Sequence, residues 1–166
     1  MATVTWDVHA VVAMLHNIGN SPTTLHELKL ASAIAGFLVE RHAKLNLTRM
    51  VYSQPMAESG YRRTGTLRRS IHTVPPGADH ASDETTAKTT EMGGKQSPAL
   101  VGEEGGRLVT EVGTWLRYSK HVHDGTGRYG RAQAKPYLTD ALNQNRRAIE
   151  DIIARGVANA LRHAMA

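Results

Sequence analysis

The stretch from Thr24 to about Asn46 constrains this chain more than any other, because its helical periodicity is apolar on more sides than a surface helix needs. Leu28, Ala31, Ile34, Ala35, Leu38, Val39 and His42 recur at helical spacing, and Leu30 and Phe37 widen the stripe beyond one contact face. Such a helix is either sandwiched between other elements or meets another subunit. Thr24-Leu25-His26-Glu27 has the form of a capping box, so the helix is expected to start there, with the Thr hydroxyl and the Glu carboxylate each bonding an orphan backbone N–H. Around Asn46 the pattern ends, and Ser53, Pro55, Ser59 and Gly60 predict a connecting loop from Thr48 to Gly60.

Ahead of this helix, Val4-Thr5-Trp6 is β-prone, and Val8, Val11, Val12 and Leu15 predict a first short helix stopped by Gly19 and Pro22. Beyond the loop, Tyr61-Arg62-Arg63-Thr64-Gly65-Thr66-Leu67-Arg68-Arg69-Ser70-Ile71 places four arginines around a Thr-Gly pivot. Leu67 and Ile71, four apart, predict one helical turn over Thr66 to Ser70 that anchors the pivot and presents guanidinium groups. A strand then runs through His72, Thr73 and Val74 and ends at Pro75-Pro76-Gly77. The residues that follow, to Gly106, are rich in Ala, Ser, Thr, Gly and charge, and read as an extended flexible arm at about 75–106.

Order returns in Arg107 to Gly113, where Leu108, Thr110 and Val112 share one face of a strand expected to pair with the one ending at Val74. Trp115 to His123 reads as a short helix stopped by Gly125-Thr126-Gly127, and Arg128-Tyr129-Gly130-Arg131 as a loop. Pro136 is placed to open a last helix, with Leu138, Ala141, Leu142, Ile149, Ile152, Ile153, Val157, Ala160, Leu161 and Ala164 in one stripe. The expected fold is a single α+β domain over residues 1–166: a small antiparallel sheet packed by a long helix from the N-terminal half and a long C-terminal helix, with a hairpin arm.

A chain of 166 residues is long enough for a core without metals or disulfides, and having no cysteine it has no thiol nucleophile and no thiolate zinc site. Neither a signal peptide nor a membrane span is expected. The net charge of +5 is unevenly distributed. Between Arg41 and Ile71 seven basic residues face one acid, Glu58, whereas from Pro76 to Gly106 six acids face Lys88 and Lys95. This segregation fits a subunit with a basic face and an acidic arm that meet complementary neighbours.

Few residues point to chemistry. His121-Val122-His123-Asp124 is the most ligand-like cluster, but two histidines two apart on a helix point in opposed directions, so a shared metal needs an extended backbone there. One histidine is expected to pack on the sheet and the other to cap the helix. No nucleophile elbow, phosphate loop or zinc-protease helix occurs, so no catalytic role, cofactor or metal is expected. Arg62, Arg63, Arg68, Arg69, Arg128 and Arg131 can all reach phosphate, with Tyr61 and Tyr129 beside them as stacking groups. Arginines are equally common anchors of protein interfaces, so the residues alone leave both kinds of partner open.

Four ordered blocks carry a resemblance: Arg63 to Ile71; Val112-Gly113-Thr114; Tyr118 to Thr126; and Lys135-Pro136-Tyr137-Leu138 with Ala141-Leu142. Together they resemble the neck or tail-completion (minor tail) family of siphovirus-type long-tailed bacteriophages and prophages, of the Hong Kong phage type. The likeness runs over about residues 25–160 and includes the helix ending Val39 to Asn46; Leu47-Thr48 stands where the family often has a proline, and the arm looks longer than usual. The resemblance implies a non-enzymatic virion protein of the head-to-tail junction, assembled in the host cytoplasm as a homo-oligomeric ring, six-fold in preference to twelve-fold. Its expected partners are other neck and tail proteins, with non-specific contact to DNA in the channel and none to membrane. The residues expected at contacts are Arg62, Arg63, Arg68, Arg69, Tyr118, His123, Arg128, Arg131 and Tyr137.

Overall fold

The computed structural model describes residues 3–7, 22–53, 65–78, 108–114, 116, 118–125 and 133–165. In chain order the elements are strand β1 (Thr3–Asp7), helix α1 (Pro22–Leu47), a π-helical turn (Thr48–Tyr52), helix α2 (Thr66–Ser70), strands β2 (His72–Val74) and β3 (Val109–Gly113), and helices α3 (Ser119–Asp124), α4 (Tyr137–Gln144) and α5 (Arg146–Met165). The fold is α+β: the strands form one antiparallel sheet in the order β1-β3-β2, and α1 packs against that sheet and against α4 and α5. The expected pairing of β2 with β3 holds, with Thr73 opposite Val112 and Val74 opposite Glu111. The short first helix and the arm beyond Ala78 lie outside the described residues.

Alternation along β3 decides which face meets the helices. Thr110 and Val112 turn toward α1, where the hydroxyls of Thr110 and Ser32 share a buried hydrogen bond of 2.5 Å. Around this contact the core gathers Ala35, Val39, Ala43 and Leu47 of α1 with Leu67, Ile71, Val112, Leu116, Tyr137, Leu138 and Ala141. Leu28, Leu108 and Ala160 form a second cluster at the other end of α1, packed by Val157 and Leu161. Several α1 side chains on the inner face are small, which lets the sheet and α5 approach its backbone closely.

Four expectations about these helices are corrected. Helix α1 already runs from Pro22, so Thr24 is buried in its first turn instead of capping it, and the Glu27 carboxylate accepts Asn159 Nδ2 of α5 at 3.4 Å. Ile34 does not join the core; it stands exposed on the outer face with Leu30 and Phe37. The first residues of the expected loop, Thr48–Tyr52, are instead helical: the Thr48 hydroxyl donates to the Lys44 carbonyl at 2.8 Å and the ladder loosens into the π-helical turn, closed by Ser53 N–H to Thr48 O at 2.8 Å, while residues 54–60 lie outside the described residues. The last helix is two helices. Buried Asn145 directs its amide to the Ala141 carbonyl at 2.7 Å and takes a non-helical backbone (φ −109°, ψ 9°), which separates α4 from α5.

Glu111 lies on the central strand and is buried, and desolvation raises its pKa above the ordinary carboxylate value. Below about pH 4 both folded and unfolded chains hold this proton and burial costs nothing. As pH rises past the unfolded value, the unfolded chain releases the proton first and then binds fewer protons than the native one, so stability falls. Glu111→Gln is therefore expected to be more stable than the parent at pH 7, with the advantage vanishing near pH 4; urea midpoints at the two pH values measure it.

Candidate interaction surface

The Thr-Gly pivot is built as its residues demand. Gly65 has φ +75°, a left-handed conformation that a Cβ would strain, and its carbonyl accepts the Arg69 N–H at 3.1 Å to open α2. Leu67 and Ile71 are buried beneath the turn, the anchoring role expected of them, while Arg68 and Arg69 stand exposed. Arg68 also braces the end of α1: its guanidinium lies 5.8 Å from the Tyr52 ring centroid and its Nη1 donates to Thr48 Oγ1 at 3.4 Å.

Buried hydroxyls tie this turn to the next elements. Ser70 Oγ and Thr114 Oγ1 are 2.5 Å apart, Thr114 Oγ1 accepts the Leu116 N–H at 3.3 Å, and the Leu116 carbonyl accepts the Ser119 N–H at 2.9 Å. Helix α3 thus starts at the end of a relay that begins in the Thr-Gly turn. It starts later than the expected Trp115, and Gly125, at φ +72°, ends it as expected. From α3 the Val122 and His123 carbonyls receive the Lys135 N–H at 3.0 and 3.1 Å, which sets Tyr137 at the start of α4.

His123 is an internal clamp. Its Nδ1 is 2.8 Å from Asp124 Oδ1, its Nε2 is 3.2 Å from Thr139 Oγ1, and its ring meets Tyr137 edge-on with centroids 5.3 Å apart. It neither packs on the sheet nor caps the helix by itself; it locks α3 to α4. Asp124, bonded by His123 and by Lys120 Nζ at 3.2 Å, has its carboxyl held below the usual range. The backbone at His121 and His123 is helical, and among the described residues no three His, Asp or Glu side chains converge as metal ligands.

Tyr137 is a correction. It is 0% exposed and among the largest wholly buried side chains, so the single chain does not present it at its surface. Its carbonyl accepts Asn46 Nδ2 of α1 at 3.4 Å. Burial pushes its phenol pKa far above the ordinary value, with the nearby Ser119 hydroxyl acting in the other direction, although neither hydroxyl meets hydrogen-bond geometry with a partner among the described residues. Tyr118, in contrast, is 40% exposed at the head of α3. Arg62, Arg63, Arg128 and Arg131 lie outside the described residues.

The surface therefore offers Arg68, Arg69 and Tyr118 on two turns joined by the Ser70–Thr114 relay, backed by an interior clamp of His123 and Tyr137. Searches of protein-family models, curated proteins and solved structures find no match to this chain. No described helix is long and apolar enough to cross a membrane. Sequence reasoning missed the buried hydroxyls and the outward turn of Ile34. The alternation of Ser32, Gly36 and Ala43 with larger residues on α1 was the available signal for the close-packed side.

Proposed function

We propose that this chain is a structural, non-enzymatic protein of a long-tailed phage neck, a homo-oligomeric ring that completes the tail or joins connector or stopper proteins to the tail terminator, tube or tape measure. One observation carries the reading. The described residues of the four blocks behind the family resemblance, from Gly65 to Leu142, converge on one bonded unit, in which Ser70 holds Thr114, the carbonyls of Val122 and His123 hold Lys135, and His123 packs on Tyr137. Residues that recur together for assembly have reason to be locked together, since a ring subunit needs a rigid frame behind its contact turns. Arg68 and Arg69 on that frame suit either an acidic neighbouring subunit or passing DNA, which arginines tolerate without reading its sequence.

Removing the gene from its phage is expected to leave filled heads and separate or unfinished tails in electron micrographs, with infectivity lost. Particles of normal tail length and titre would end the proposal. The alternative, a stand-alone nucleic-acid-binding protein, draws on the same exposed arginine turn and predicts tight, salt-sensitive duplex binding by the isolated chain. A filter assay that retains no duplex at low salt removes it.

A further inference from the structure

Helix α1 is apolar on two opposite sides, and only one of them faces the core. Leu30, Ile34 and Phe37 are 47%, 47% and 53% exposed, and all point away from the side that carries Ala35, Val39 and Ala43. Their spacing of four then three is that of a helix seam in which side chains of one helix fill gaps on another. Leu38, half-buried, borders the stripe, and Leu45 extends it toward the C-terminal end.

We propose that a second copy of this chain docks on this face, the two α1 helices running antiparallel about Ile34. Two features of the face select that occupant. The large exposed apolar side chains among the described residues are Leu25, Leu30, Ile34, Phe37, Leu45 and Tyr118, so nearly all of this surface belongs to α1 itself. A copy meeting the stripe with any other described element would set polar surface against it, whereas α1 against α1 is apolar on both sides, the self-complementary pattern of a two-fold contact.

Charge then chooses the direction. Glu27 and Arg41 stand seven residues to either side of Ile34, two helical turns each way and on the same side of the helix as the stripe. Antiparallel helices centred on Ile34 bring Arg41 of each copy beside Glu27 of the other, and place Leu30 against Leu38 and Phe37. Parallel helices in register would stack Arg41 on Arg41 and Glu27 on Glu27. Glu27 is half-buried, and its Oε2 accepts Asn159 Nδ2 from α5 at 3.4 Å. Arg41 is exposed, and no acid among the described residues pairs with it.

This contact goes beyond the neck reading and does not depend on it. A ring with one polarity has no two-fold axis in its plane, so the α1 pair is a contact of the free protein and is distinct from the seam between ring neighbours. One helix pair buries an area at the low end of specific interfaces, below about 1,200 Å² in total, the size of transient contacts, so the pair is sought at high protein concentration.

Sedimentation equilibrium of the full chain from about 1 µM to about 1 mM, the range that populates transient complexes, tests it. The expected mass rises from one copy to two. Ile34→Glu should hold the chain at one copy throughout, with circular dichroism and melting unchanged because the position is exposed. Arg41→Glu should weaken the pair at least tenfold, and adding Glu27→Arg should restore it. A single copy at every concentration overturns the proposal, and so does a dimer that Ile34→Glu leaves intact. A six- or twelve-copy mass as the first associated species also overturns it, while leaving the neck reading standing.

Discussion

Tyr137→Ala is expected to lose about 3–5 kcal/mol of unfolding free energy, the range for deleting a large buried aromatic and leaving a cavity. For a chain of this length that lowers the melting midpoint by roughly 8–15 °C. The loss is large because the ring lies where the elements converge. It is 0% exposed in the cluster with Val39, Leu47, Ile71 and Leu116, and its edge meets His123. Removing it takes away the ring contact by which His123 of α3 rests on α4, leaving the His123–Thr139 bond and the Lys135 N–H bonds to hold the two together. Tyr137→Phe separates this role from one in which the hydroxyl meets a partner. That hydroxyl is buried and meets no hydrogen-bond geometry among the described residues, so its removal is expected to change stability by less than about 1 kcal/mol. A Tyr137→Phe chain that melts normally but fails in particle assembly would return Tyr137 to a contact role.

Tyr137 also illustrates how far the sequence could be read. The helices were legible because period depends on neighbours a few residues away, and the strands because Leu108, Thr110 and Val112 alternate with Val109 and Glu111. The left-handed turn at Gly65 and the anchors Leu67 and Ile71 follow from the same local rules. Which side of a two-sided helix turns inward is not local. On α1 the bulky Leu30, Ile34 and Phe37 point out while Ala31, Ala35 and Ala43 point in, because the inner face is set by how closely the sheet and α5 approach. Tyr137 is expected at a contact alongside the family resemblance, and only the convergence of α1, α3 and α4 buries it. The break at Asn145 depends on a side chain bonding a carbonyl within an otherwise regular pattern, which periodicity does not register.

Gly156→Leu is expected to abolish folding, and Gly156→Ala to weaken it, because of that close approach. A Cβ built at Gly156 would collide with the Ala31 Cβ of α1 and lie 3.5 Å from the Glu27 carbonyl. Mid-helix glycine costs about 0.5–1 kcal/mol against alanine in an isolated helix, so Gly156→Ala begins with a gain of that size. Ordinary contact needs well over 3 Å between the two Cβ atoms, however, and the obstruction is another helix's Cβ with no flexible end to swing aside. The helices must separate by about 1 Å, an overpacking penalty of roughly 1–3 kcal/mol that also loosens Leu28, Leu108 and Ala160 behind it. The expected balance for Gly156→Ala is a net loss of about 1–2 kcal/mol in urea unfolding. Leucine adds three more carbons to the same gap and exceeds what displacement can absorb. Pairing Gly156→Ala with Ala31→Gly moves the methyl group from one helix to the other and removes the collision. The double variant is therefore expected to be more stable than the sum of the two single changes allows, by about 1 kcal/mol or more. Additive losses would mean that α1 and α5 do not touch at this point, and that Gly156 is held for some other reason than the passage of one backbone over another.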